Sequence, residues 1–284
     1  MSRILALLLC LGTSLSAGMA QAQDPAEPAV TEDLRNVPLD VDRLKEHPAL
    51  IYKLYAYRAR SIQQGIVRTF EFGPVRVGAV VLYTQVYETG VTMEDTNWSW
   101  NGEYRSGRMG HVYRRDLLEL YRFVRANCSS NCECRFDDGR FTCRGTNGDC
   151  AGDWPEHVLT PAALLRIVML LPREAGRAYT VPYWSEDPCC GMVEEAPHSI
   201  ICHGPEDMLL CGVETEVTRY SFGDTQLWVR NEDSKLVRVV RDGWFKLELA
   251  CCKDGLLLEP PQVHVGEDGV PTPAVRPNPR PQPR

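Results

Sequence analysis

Cysteine spacing constrains this chain more than any other feature. Five cysteines crowd one stretch, in the pattern Cys128-x3-Cys132-x-Cys134-x8-Cys143-x6-Cys150. Pairing among them closes short loops and removes conformations from the unfolded chain. Asp138-Gly139, between Cys134 and Cys143, is a tight-turn signal, so that segment is expected to be a stapled hairpin. Cys189, Cys190, Cys202, Cys211, Cys251 and Cys252 follow, and Cys10 precedes.

Most of these cysteines pair if the chain meets an oxidising compartment. The first residues predict that it does. Arg3, the apolar run Ile4 to Leu11 and Ala20-Gln21-Ala22 form a secretory signal over residues 1–22. Cleavage removes Cys10 and leaves an odd number. One cysteine is then unpaired, either as a buried thiol or as the link of a disulfide-bonded homodimer. Cys128 to Cys150 are expected to pair mainly among themselves, and Cys251 and Cys252 to tie the last strand to the segment around Cys189. Asn97-Trp98-Ser99 and Asn127-Cys128-Ser129 are glycosylation sequons, which makes Asn97 and Asn127 candidate glycan sites.

Charge narrows the partners. The formal net charge of −7 becomes −8 once Arg3 leaves. Nucleic acid is not expected, because phosphate contacts want a basic surface. No later stretch is apolar enough to span a bilayer. The acid is concentrated. Between Arg177 and Arg219 there is no Lys or Arg, while Glu186, Asp187, Glu194, Glu195, Glu206, Asp207, Glu214 and Glu216 all occur there. We take Glu186, Asp187, Glu194, Glu195, Glu206 and Asp207 as the candidate binding patch for a basic secreted protein.

The fold class expected is mainly β with one or two helices, as a disulfide-stapled antiparallel β-sandwich. A flexible start over residues 23–39 precedes one domain over 40–260, and a disordered Pro-rich tail fills 261–284. Val67 to Phe72, Val75 to Tyr87, Ala178 to Trp184, Ser199 to His203, Leu209 to Val213, Glu214 to Phe222, Gln226 to Arg230, Lys235 to Arg241 and Trp244 to Cys252 read as strands. Pro182 argues for an edge position. Asp40 to Gln64 reads as a helix, although Tyr52, Tyr55 and Tyr57 would equally mark a strand. Gly90 to Gly110 reads as an exposed loop. Val112 to Arg125 carries a helical apolar stripe, and Thr160-Pro161 starts a second, buried helix.

Chemistry is sparse. There is no nucleophile elbow, no His-Glu-x-x-His helix and no phosphate loop, so no enzyme activity, metal or cofactor is expected. Cys189, Cys190, Cys202, His198 and His203 admit a zinc site, but they lack paired Cys-x2-Cys clips, and disulfides are the expected outcome. Trp98, Trp100 and Trp154 fall in polar loops, as binding anchors or packed beneath those loops.

The Cys-x-Cys-x8-Cys spacing resembles pieces of epidermal-growth-factor-like and von Willebrand type C modules. Over Arg114–Cys128, Cys132–His157 and Tyr220–Cys252, strands, a helix ending at a cysteine and a closing Trp-Phe-Lys-Leu-Glu-Leu strand resemble the secreted poxvirus β-sandwich proteins, in particular the parapoxvirus branch. That resemblance implies an immunomodulatory decoy that sequesters a host chemokine or cytokine. It departs in one respect: the better-known members place their acidic loop ahead of a central strand, where this chain has Arg58, Arg60 and Arg68. The alternative is a structural or adhesive extracellular protein.

Overall fold

The computed structural model describes residues 30–56, 58–60, 69–71, 76–99, 105–126, 131–146, 148–186, 188–241, 245–250, 263–265 and 271–273. The signal segment, Asn127, Cys128, Asp187, Cys251, Cys252 and most of the Pro-rich tail fall outside these residues, as do the side chains of Asn97 and Cys190.

In chain order the strands are β1 (Val30–Asp33), β2 (Ala49–Ala56), β3 (Arg58–Arg60), β4 (Thr69–Glu71), β5 (Arg76–Val86), β6 (Val91–Ser99), β7 (Arg105–Tyr113), β8 (Leu120–Ala126), β9 (Asn131–Asp137), β10 (Arg140–Gly145), β11 (Cys150–Asp153), β12 (Val158–Leu159), β13 (Arg177–Trp184), β14 (Glu194–Leu210), β15 (Val213–Phe222), β16 (Thr225–Arg230), β17 (Leu236–Arg241), β18 (Phe245–Leu249), β19 (Val263–Val265) and β20 (Pro271–Pro273). One α-helix, α1 (Pro161–Leu170), and three 3-10 turns, Leu34–Asn36, Val41–Glu46 and Pro188–Cys190, are interspersed.

Sixteen strands share one sheet, in the order β1-β13-β14-β15-β16-β17-β18-β2-β5-β6-β7-β8-β9-β10-β11, with β12 beside β13. Pairing is antiparallel except where β13 meets β1 and β12. This is the mainly β, antiparallel, cystine-stapled class expected, and its layers come from one sheet that curls on itself. Cys132 on β9, near one end of the strand order, is bonded to Cys189, which follows β13 near the other end.

Helix α1 sits inside the curl. Thr160 caps it by accepting the Ala163 N–H, and Pro161 supplies its first turn, as the sequence predicts. Nearly all its residues are buried, including Arg166, which is only 2% exposed. The Arg166 guanidinium donates to Asp95 Oδ1 on β6 at 2.7 Å, to the Tyr83 carbonyl at 3.1 Å and to Thr84 Oγ1 at 3.1 Å. A charge so far from water persists because its donors are taken.

Several expectations fail, each for a physical reason. Gly90 to Gly110 holds most of β6 and β7, not an exposed loop. Thr92, Met93, Glu94, Asp95 and Thr96 are all buried, so both faces of β6 are covered; Asp95 accepts from Arg166 and Thr96 donates to Glu94 inside the protein. Val112 to Arg125 is not a helix. Tyr113 ends β7 and Leu120 begins β8. In the turn between them Asp116 accepts the Leu118 N–H at 2.9 Å, and Leu117 and Leu118 drop into the core, which mimics a helical stripe. Asp40 to Gln64 gives a 3-10 turn and then β2, the strand its tyrosines marked. Pro182 lies at a bulge between Val181 and Tyr183, inside the sheet and not at its edge. Leu209 to Val213 is not a strand of its own: Leu209 and Leu210 end β14, Val213 begins β15, and the bend of the hairpin lies between them.

Glu94 is the less comfortable of the two β6 carboxylates. Burial pushes its pKa up, against the pull of Arg108 at 3.6 Å, and its Oε2 has no hydrogen-bond partner. A raised carboxylate favours folding below its unfolded pKa and costs stability as pH rises past that value. Glu94→Gln is therefore expected to raise the urea midpoint at pH 7, with the gain shrinking towards pH 4. Equal gains at both pH values would contradict this.

Candidate functional site

The six acidic residues chosen from the sequence do not form one patch. Glu186 is exposed and takes a 2.6 Å ion pair from Arg241, a cation brought from β17. Asp187 lies outside the described residues. Glu194 and Glu195 begin β14, while Glu206 and Asp207 lie far along it. About 40 Å of strand contour separates the two pairs, at about 3.3 Å per residue.

Glu206 and Asp207 also point to opposite faces, as neighbours on a strand must. Glu206 shares the face of Met208 and Leu210 but stays exposed, accepting from the Trp228 indole N–H at 2.6 Å and pairing with Arg219 at 3.3 Å. Beside it Met208, Leu210, Val217 and Val237 form a small core of their own. This core holds the end of the β14–β15 hairpin onto β17.

The other face of that hairpin is different. Register places Asp207 opposite Glu216 and Leu209 opposite Glu214, so these four side chains share one side. Glu216 accepts from the Asn231 side-chain amide at 2.7 Å. Asp207 and Glu214 make no ion pair among the described residues. Like charges directly across a strand pair oppose folding. Leu209 is 67% exposed among them, and Val213 at the bend is 63% exposed. The bend is Cys211-Gly212, with φ of 54° and 84°, a two-residue turn of the I′ kind with cysteine in the left-handed position. Cys211 is disulfide-bonded, which anchors this bend covalently. The acidic stretch contained Glu214 and Glu216, but the binding set omitted them. The usable signal was the two-residue bend itself, which pairs Asp207-x-Leu209 with Glu214-x-Glu216.

The second feature is the cysteine cluster. Alternation along β9 turns Cys132, Cys134 and Phe136 inward, and along β10 it turns Phe141 and Cys143 inward. Asp138-Gly139 makes the turn, with φ of 47° and 72°. Cys134 is bonded to Cys143, the stapled hairpin expected. Cys132 departs from expectation by bonding to Cys189 instead of a neighbour within Cys128–Cys150. The cause is packing. Gly191 presses its backbone against the Phe141 ring, so close that a Cβ there would lie 1.9 Å from the ring. That brings the Pro188–Cys190 turn over the hairpin. Phe141, Phe136 and Trp154 pack together beside it, with Phe136 and Trp154 centroids 4.4 Å apart, so Trp154 is packed and not an exposed anchor.

Gly191 also has φ of +61°. Gly191→Ala is expected to cost about 1–3 kcal/mol in urea unfolding, from the clash and the left-handed backbone together. Gly212→Ala has open space around it and meets only the backbone term, about 1 kcal/mol. A smaller loss at Gly191 than at Gly212 would contradict the packing account.

Among the described residues two cysteines are free, Cys150 and Cys202. Cys202 is buried on β14, and burial pushes its thiol pKa up, so it is an inert core residue. Cys150 is exposed at the start of β11. It is the described thiol a second chain can reach. The alternative zinc set does not converge among the described residues, since Cys189 is bonded to Cys132 and Cys202 is enclosed apart from it. His203 meets Ser221 Oγ at 2.7 Å, with no carboxylate in hydrogen-bond reach of its ring among the described residues.

No described helix is long and apolar enough to cross a membrane. No protein-family model matches the chain, and no curated protein matches it. Among solved structures it is similar to a β-barrel-like protein of a domain of unknown function from Brucella abortus, at 12% identity and a TM-score of 0.45, covering 71% of this chain and 94% of that one.

Proposed function

We propose that the protein is an exported binding protein that captures a basic protein partner on the outer face of the β14–β15 hairpin. The observation that carries this reading is Leu209, 67% exposed and ringed by Asp207, Glu214 and Glu216. An exposed apolar side chain gives affinity only where a partner buries it, and surrounding carboxylates steer and orient a cationic surface. Chemokines and cytokines, the class implied by the poxvirus resemblance, are one set of basic secreted proteins to test.

The experiment passes the purified protein over immobilised basic proteins, chemokines among them, at two salt concentrations. Capture with salt-sensitive association is expected. Asp207→Lys combined with Glu214→Lys should slow association about tenfold or more at low salt and flatten its salt dependence. Leu209→Ser should speed dissociation. Unchanged kinetics in both variants would sink the hairpin reading, as would capture of neutral and basic proteins alike.

A further inference from the structure

We infer that Cys132, Cys134, Cys143 and Cys189 form a tetrathiolate site for one Zn²⁺ ion when reduced, and close as two disulfides when oxidised. The inference is independent of the hairpin reading.

The geometry is that of a metal site. The four sulfurs all lie within 4.8 Å of one another. Cys143 Sγ and Cys189 Sγ belong to different disulfides, yet approach to 3.9 Å. Zn–S bonds of about 2.3 Å in a tetrahedron set thiolate sulfurs about 3.8 Å apart. Two independent crosslinks have no need to share one point in space, whereas a tetrahedral ion does.

The scaffold holds the four positions without the S–S bonds. Cys134 and Cys143 are directly opposite in the β9–β10 register, and Cys132 follows on the same face of β9. Cys189 is placed by the close packing of Gly191 on Phe141, which contains no sulfur. Cys132, Cys134 and Cys143 are buried and Cys189 is half-buried, the closed surroundings of a structural zinc site. Four thiolates around one Zn²⁺ carry a net charge of −2. Arg125 on β8, paired in register with Cys132, brings a cation to the neighbouring strand.

The chemistry balances. Reducing the two disulfides takes four electrons and four protons, supplied by two molecules of a dithiol reductant that leave as disulfides. The four thiols bind one Zn²⁺ and release their four protons to solvent. Oxidation by a disulfide donor expels the ion. Metal occupancy would thus follow the thiol–disulfide poise around the protein.

The test reduces the purified protein with a phosphine, removes the reductant without air, and titrates Co²⁺ followed by Zn²⁺. The expected result is one Co²⁺ per chain with thiolate charge-transfer and tetrahedral ligand-field bands, displaced by one Zn²⁺. The oxidised protein should take up none. The double variant Cys132→Ser/Cys189→Ser should lose stoichiometric uptake. Cys150→Ser, Cys202→Ser and the pair Cys251→Ser/Cys252→Ser should keep it. Circular dichroism follows the reduced chain in parallel. A reduced chain that takes up no ion, folded or unfolded, overturns the inference. So does uptake that survives in Cys132→Ser/Cys189→Ser.

Discussion

Arg166→Leu is expected to lower the free energy of unfolding by about 3–5 kcal/mol, enough to leave a domain of ordinary stability marginal. The substitution keeps the apolar bulk inside the curl but leaves Asp95 buried without its guanidinium. At 2.7 Å, with Arg166 2% exposed, that contact is shielded from water and salt. The Tyr83 carbonyl and Thr84 hydroxyl lose a donor at the same time. Most of the loss is a penalty for stranding partners, not the net worth of the pair. Arg166→Leu/Asp95→Leu should therefore recover a large part of it. Urea unfolding of the two variants beside the parent checks this. A double variant as unstable as the single one would mean that Arg166 acts by packing alone.

Removing the Cys132–Cys189 disulfide as Cys132→Ala/Cys189→Ala is expected to cost about 4 kcal/mol under oxidising conditions. The bond closes a loop of 57 residues in sequence, and closure of a loop that long removes much freedom from the unfolded chain. Cys134–Cys143, separated by 9 residues, should be worth nearer 3 kcal/mol by the same reasoning. The longer bond also joins the two ends of the strand order. Its loss should increase hydrogen exchange in β9, β10 and β13 together, whereas loss of the shorter bond should act on β9 and β10 alone. Thermal melts and exchange on both variants distinguish a sheet held closed from a hairpin merely stiffened.

Local patterns predicted local structure well. The Cys134–Cys143 hairpin, the Thr160-Pro161 helix start and the strands at Val75 to Tyr87, Gln226 to Arg230 and Lys235 to Arg241 follow from turn chemistry and alternation over a few residues. The misreadings occur where distant residues decide. Glu94 and Asp95 made β6 look exposed, because nothing near them in sequence shows that Arg166 answers Asp95 from α1. The stripe around Leu117 and Leu118 has helical spacing, yet it is a turn anchored by Asp116 between two strands. At the candidate site, the excess of acid was legible but its geometry was not. Arg241 and Arg219 neutralise Glu186 and Glu206 from other strands, and only the hairpin register shows that Asp207 shares a face with Glu214 and Glu216. The crossing of Cys132 to Cys189 depends on Gly191 against Phe141, a contact that no cysteine spacing encodes.

Photo-crosslinking from position 209 tests the central claim most directly. Leu209 is replaced by benzoylphenylalanine, and the protein is irradiated with the basic partner captured on it. Met192, also 67% exposed, carries the same group as a control away from the hairpin bend. A crosslinked complex is expected from position 209 and little or none from position 192. Intact capture with no crosslink at 209, or equal crosslinking at both positions, would contradict the hairpin reading.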